Sequence, residues 1–274
     1  MKKGQIYEGT VTKYEFPNKG IITYKEEERE VRVAVKGTLP GQSVRFILSK
    51  KRAGKWEGRL VEVTKVSQYE DRTPFCPHYL MCGGCAYQKV SYDNQLALKG
   101  DMVKDIMDNV IDGDYVYEGI LGSPYEWAYR NKMEFSFGDE YKDGPLSLGL
   151  HKKGSFYDIV TTDECRIVNG DYNAILNAVL QYFKELGFPF YHKITHTGYL
   201  RHLVVRRAVK TGEILVNIVT TGNFDEIPQC RKYREDGIYE DLKDVLLRLD
   251  LYGTIEGIIH TVNDSLADVV QSDR

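Results

Sequence analysis

The residues best suited to chemistry are cysteines. Cys76, Cys82 and Cys85 stand in CPHYLMCGGC as a C-x5-C-x2-C array, and Cys165 follows alone in TTDECRIVN after 79 intervening residues. Thiolates are soft metal ligands, and three in ten residues make a chelating loop that one distant ligand completes. The glycine pair Gly83 and Gly84 lets the backbone turn tightly between the second and third thiols and frees its N–H groups to point at sulfur. Three ligands from one loop and one from afar fit an iron–sulfur cluster, and the spacing is close to that of plant ferredoxins. Zinc more often takes two short-spaced pairs, and the chain has no second C-x2-C, although His78 could complete a zinc site. A disulfide is the weakest option in a reducing compartment. Cys230, in IPQCRKYRE, has no companion within motif distance and reads as an ordinary thiol, not a nucleophile. His202, inside LRHLVVRR, reads as structural.

A second candidate chemistry is charge. The first 66 residues hold 15 Lys and Arg against 8 Asp and Glu, a balance of +7, which leaves 22 against 32, or −10, for the remainder. A basic module joined to a different partner domain points to a polyanionic ligand for the basic half. Lys50, Lys51, Arg52 and Lys55 fall in one predicted turn, and Trp56 beside them could stack on a base.

The elements that must position these groups follow from periodicity. Residues 1–67 alternate in short stretches, QIYEGTVTKYEF, GIITYKE, EREVRVAVKG, QSVRFILSK and KWEGRLVEVTKV, with turn residues between them. Five strands in about 60 residues predict an OB-like barrel that binds nucleic acid. A boundary near residue 68 separates it from residues 68–274, a mixed α+β domain with a mainly antiparallel sheet. There SYDNQLALKGDMVKDIMDNV predicts a helix capped by Ser91 with a stripe of Leu96, Val103, Ile106 and Val110. DYNAILNAVLQYFKELG predicts another, with Leu176, Val179, Leu180 and Phe183 inward and Gly187 as its stop. YRNKMEFSF alternates as a strand, hairpins are expected around Lys153-Gly154 and Thr211-Gly212, a further helix across EDLKDVLLRL, and a last strand at GIIHTVN.

At 274 residues, two domains are the expectation, and 42% hydrophobic with 28% charged residues excludes disorder and collagen-like repetition. No run of 18 apolar residues predicts a membrane helix. MKKGQIYEGT lacks the apolar core of a secretory signal, so a cytoplasmic location with reduced thiols is expected.

With barrel, cysteine array and following helix in place, the chain resembles the RNA 5-methyluridine methyltransferase family, the S-adenosylmethionine-dependent uracil-C5 enzymes of ribosomal and transfer RNA. VKGTLPGQSV is similar to the TRAM barrel at the front of these proteins, and CPHYLMCGGCAYQKVSYDNQLALK to their cluster motif. The resemblance implies that Cys76, Cys82, Cys85 and Cys165 hold a [4Fe–4S] cluster, as a structural clasp or a redox sensor. It also implies that YRNKMEFSF and GYLRHLVVRR belong to a central domain that grips RNA, with Arg130, Lys132, Arg201, Arg206 and Arg207 as candidate contacts. In that family a C-terminal domain binds the methyl donor and supplies the cysteine that adds to uracil C6 and the acid that removes the C5 proton. No Gly-rich strand–helix turn of that kind is visible before Arg274. The expectation is therefore a chain lacking its catalytic domain, inactive by itself, with S-adenosylmethionine bound only by the full-length enzyme. Its partner would be structured or single-stranded rRNA or tRNA, and a monomer is expected. A zinc-clasped RNA-binding adaptor and an electron-carrying iron–sulfur protein are the competing readings.

Overall fold

The computed structural model describes residues 1–26, 29–52 and 55–266. The chain divides into two units, Met1–Pro74 with Ala86–Pro124, and Phe75–Cys85 with Tyr125–Arg274.

The alternation of the first segment makes one sheet of β1 (Ile6–Thr10), β2 (Lys13–Glu15), β3 (Lys19–Glu26), β4 (Arg29–Lys36), β5 (Ser43–Arg52) and β6 (Lys55–Lys65), in the order β1-β5-β6-β4-β3-β2. All pairings are antiparallel except β4 with β6. Val33 and Val35 of β4 and Val44, Phe46 and Leu48 of β5 point one way at period two and form the core with Val11 and Ile22. Two expectations change here. The stretch QIYEGTVTKYEF is not one strand: it breaks at Val11, which turns inward and donates its N–H to the Gln42 carbonyl at 2.8 Å, so six strands replace five. Strand pairing also does not close the sheet into a barrel among the described residues, since β1 and β2 are its two free edges.

Helix α1 (Tyr92–Asp108) belongs with this first unit and not, as a boundary at residue 68 implies, with the residues after it. Val90 and Leu98 pack with Leu39, Tyr14 shares a 2.8 Å hydrogen bond with Tyr87, and Lys13 reaches Asp105 at 2.8 Å. The buried residues of α1 are Leu98, Gly100 and Met102; Val103, Ile106 and Val110 are exposed, contrary to the predicted stripe. Tyr117 packs at Gly100, its hydroxyl donating to the Gly100 carbonyl at 3.3 Å.

The second unit has a sheet of β7 (Lys132–Asp139), β8 (Leu146–His151), β9 (Ile159–Thr161), β10 (Leu200–Arg207), β11 (Glu213–Thr220) and β12 (Thr254–Val262), ordered β12-β11-β10-β7-β8-β9. Four of its five pairings are antiparallel, with β11–β12 parallel. Both predicted hairpins form, with Gly154 and Gly212 at positive φ in their turns. Helices α2 (Gly170–Leu186) and α3 (Glu235–Leu247) supply Ile175, Leu176, Val179, Phe183, Leu242 and Leu246 to the core, against Phe135, Leu203 and Val216 of the sheet. Asn169 caps α2 and Gly187, in the left-handed region, ends it as predicted.

Candidate functional site

The cysteine array lies in the second unit, on a loop fastened to the end of β8. The Gly83 N–H donates to the His151 carbonyl at 2.9 Å, the Lys153 N–H to the Met81 carbonyl at 2.6 Å, and Cys82 bridges Lys152. A Cβ on Gly83 would stand 3.1 Å from the His151 carbonyl oxygen, which explains why the loop carries glycine there. Within the loop the Cys82 N–H donates to the His78 carbonyl at 2.9 Å, and the Gly84 N–H to the Cys82 Sγ at 3.3 Å, the N–H···S arrangement the sequence suggested.

Cys165 reaches the same place from the other side. Asn173, in the first turns of α2, clamps it by accepting from its N–H at 3.2 Å and donating to its carbonyl at 3.1 Å. His78 joins the two segments, its Nε2 accepting the Glu164 N–H at 3.2 Å. Phe75 rests against Trp127 with ring centroids 5.2 Å apart, and the Arg166 guanidinium lies over its ring. Neither Asn173 nor this role of His78 was legible in the chain, because neither has a motif spacing.

The four thiols lie within electrostatic reach of one another: Cys165 feels Cys76, Cys85 and Cys82, and Cys82 feels Cys85 and Cys76. Burial pushes the Cys165 thiol up to about 11, against an opposing hydrogen bond from the Ile167 backbone. Burial likewise raises Cys82, opposed by the Gly84 N–H. Among the described residues no group of three or more His, Cys, Asp or Glu stands close enough to enclose a single ion. The donor set is nevertheless all sulfur, drawn from two segments held by hydrogen bonds, and amides point at two of its sulfurs. That set fits an iron–sulfur cluster, which takes four thiolates and has its potential tuned by such N–H···S bonds. Cys76, Cys82, Cys85 and Cys165 would hold it, while the Nε2 of His78 is engaged by the Glu164 backbone. Cys230 is fully buried at the core edge and its thiol is pushed up to about 12 by burial, so it is an inert structural thiol.

The predicted basic groups divide into free and committed ones. In the first unit Lys50, Lys51 and Lys55 are exposed at the β5–β6 ends, where Lys51 pairs with Trp56 across the ladder and its Nζ sits 5.7 Å from the Trp56 ring. Lys50 approaches Glu57 at 3.4 Å and Lys55 approaches Glu15 at 3.9 Å, exposed pairs that hold little energy. The Arg52 side chain and the turn at 53–54 lie outside the described residues. Trp56 is half-buried and packs on the core of its sheet. In the second unit Arg206 and Arg130 are exposed, and Lys132 pairs with Glu134 at 2.8 Å.

Two candidates are corrected. Arg201 is 4% exposed: its Nη1 donates to the carbonyls of Asn263 and Ser265 at 2.8 and 2.7 Å, and its guanidinium stacks on Tyr191. Arg207 is bound to the buried Asp171 at 3.2 Å. The resemblance implied both as RNA contacts, but β10 lies inside the sheet between β7 and β11, and these two side chains are used by the fold. His202 is buried and structural, as expected.

No family model matches the chain. An uncharacterized RNA methyltransferase of Clostridium tetani is 40% identical over 274 residues, the whole of this chain and 57% of that protein. Another, of Caldanaerobacter subterraneus, is 40% identical over 270 residues, 98% of this chain and 56% of its own. The chain is thus similar over nearly all its length to proteins named RNA methyltransferases. It spans about half the length of the curated relatives it matches. Its fold is similar to that of the Pyrococcus abyssi tRNA (uracil-54, C5)-methyltransferase solved with S-adenosyl-L-homocysteine, with a TM-score of 0.65 and 22% identity over 97% of this chain and 54% of that one. The expectation that the protein lacks a catalytic domain and is inactive by itself does not stand. Proteins named RNA methyltransferases match the whole of this chain, and the position of Arg274 is no ground for reading a domain as missing. Among the described residues no helix is long and apolar enough to cross a membrane.

Proposed function

We propose that the protein is an S-adenosylmethionine-dependent methyltransferase of uracil C5 in tRNA or rRNA, in which these residues recognise RNA through a TRAM-like basic sheet and a central sheet clasped by a [4Fe–4S] cluster. The observation that carries the reading is the convergence of Cys165 on the loop of Cys76, Cys82 and Cys85, within a chain whose relatives are RNA methyltransferases. When bound, the cluster would supply a cross-link between chain segments separated by 79 intervening residues. Such a closure removes unfolded-state entropy on the order of several kcal/mol. The remaining work belongs to the chain itself. His78 and Asn173 hold the two cysteine segments in register. Lys50, Lys51 and Lys55 present charge to phosphates, and Arg206 and Arg130 do so from the second unit. Cys230, buried and protonated, takes no part in adding to a base.

Nucleoside analysis of RNA from cells with and without the gene tests the reaction. One 5-methyluridine of tRNA or rRNA should disappear and return on complementation, whereas loss of a methyl mark on a different base would overturn the uracil assignment. For the cluster, protein purified without oxygen should hold about four irons and four sulfides per chain. One zinc and no iron would overturn it in favour of a zinc clasp.

A further inference from the structure

Phe156 and Tyr157 are 84% and 58% exposed, although large aromatic side chains are ordinarily worth burying. They stand in the connection between β8 and β9, whose backbone is tied down throughout. The Lys152 N–H donates to the Asp158 carbonyl at 2.9 Å and the Ser155 N–H to the Lys152 carbonyl at 3.0 Å, while the Ser155 Oγ accepts from the N–H groups of Tyr157 and Asp158. The same connection is fastened to the cysteine loop through His151, Lys152 and Lys153. The same connection carries Lys153, exposed, and Lys152, half-buried, and Leu80 and Met81 of the cysteine loop are also open to solvent.

Rings on a braced backbone lose little conformational freedom when a partner binds. An exposed pair of rings that follows a pair of lysines in one short connection matches a ligand that alternates π-faces with phosphates, which a protein surface does not. We propose that Phe156 and Tyr157 form a stacking platform for unpaired RNA bases, with Lys152 and Lys153 on the neighbouring phosphates and the cysteine loop as its mount. The proposal rests on the RNA-binding reading above and adds the class of RNA element recognised, a loop or unwound segment in place of a duplex. It also assigns the cysteine centre a mechanical task, holding the turn that carries the rings.

The test compares the full chain, purified without oxygen, on a labelled RNA hairpin with an unpaired loop and on a fully paired duplex of equal length. Phe156→Ala with Tyr157→Ala should weaken hairpin binding roughly 5- to 100-fold, the range of one stacked base, and leave the duplex within about twofold. Phe156→Trp should retain hairpin affinity. Lys152→Ala with Lys153→Ala should lower the slope of log affinity against log salt by about 1–2. Iron content and melting temperature should not change in any of these variants. Salt-dependent binding by the wild type that the aromatic double variant leaves unaltered, or lowers equally on both RNAs, would overturn the platform alone. A fall in iron content parallel to affinity would also overturn it, as a structural effect. No binding of either RNA by the wild type would remove the RNA reading and the platform together.

Discussion

Replacing Asp171 by alanine should destabilise the second unit by about 3–5 kcal/mol, the cost of breaking a buried charged pair. Asp171 is in the first turn of α2, and its carboxylate is 1% exposed. Its Oδ1 accepts the Tyr252 N–H at 2.8 Å, and its Oδ2 accepts the Gly253 N–H at 3.1 Å and the Arg207 Nε at 3.2 Å. Alanine strands two amides and a guanidinium, at about 1–3 kcal/mol for each unsatisfied buried group. Arg207 is 18% exposed and recovers some water, which keeps the total below the sum of three such penalties. Arg207→Ala should cost less, about 1–3 kcal/mol, because the carboxylate keeps both amides. The chain has two tryptophans, Trp56 in the first unit and Trp127 in the second, so a Trp56→Phe background leaves fluorescence that reports the second unit alone. With a urea m-value of about 1–3 kcal/mol/M, the midpoint should fall by roughly 1 M or more for Asp171→Ala. A fall worth less than about 1 kcal/mol would refute the energetic reasoning. A companion binding measurement separates neighbours: Arg206→Ala should reduce the salt slope of RNA binding by about 1, and Arg207→Ala should leave it unchanged. Equal effects would refute the assignment of Arg207 to the fold.

Cys165→Ser should lose most of the iron of anaerobically purified protein while α2 remains folded; full iron retention would exclude Cys165 as a ligand. Cys230 should resist iodoacetamide at pH 8 until the chain is denatured, since its thiol is buried and pushed up to about 12, and rapid labelling of the native chain would count against that. Asp71 accepts the Ser91 N–H at 2.7 Å and the Asn94 amide at 2.9 Å at the start of α1, and hydrogen bonds from Ser91 hold its carboxyl below the ordinary 3.8. A lowered folded-state value means that its contribution is complete above 3.8 and is lost as pH falls through the depressed value. Thermal melts of Asp71→Ala should therefore lie below wild type at pH 7 and converge with it under strong acid; a constant gap would refute the linkage.

Local pattern carried most of the elements. The alternation of EREVRVAVKG and QSVRFILSK had to bury one face whatever the topology, and the stripe of α2 with Gly187 behind it had one consistent reading. Pattern misjudged α1, whose buried residues are Leu98, Gly100 and Met102 while Val103 and Ile106 of the predicted stripe are exposed. It also missed the break at Val11, because a residue that leaves a strand to enter the core keeps the strand's alternation.

At the candidate site the cysteine spacing by itself determined which residues could chelate, since C-x5-C-x2-C places three thiols within one loop wherever that loop folds. The sequence also determined the basic balance of the first unit, which no arrangement of the chain can alter. Only the tertiary structure decided that Cys165 joins the loop, through α2 and Asn173, and that Arg201 and Arg207 are consumed by carbonyls and a buried carboxylate while Arg206 stays free. The physical reason is common to these cases. Composition and spacing determine which groups a segment offers, but a long-range hydrogen bond or ion pair depends on where another segment ends, and that is settled when the sheets and helices pack.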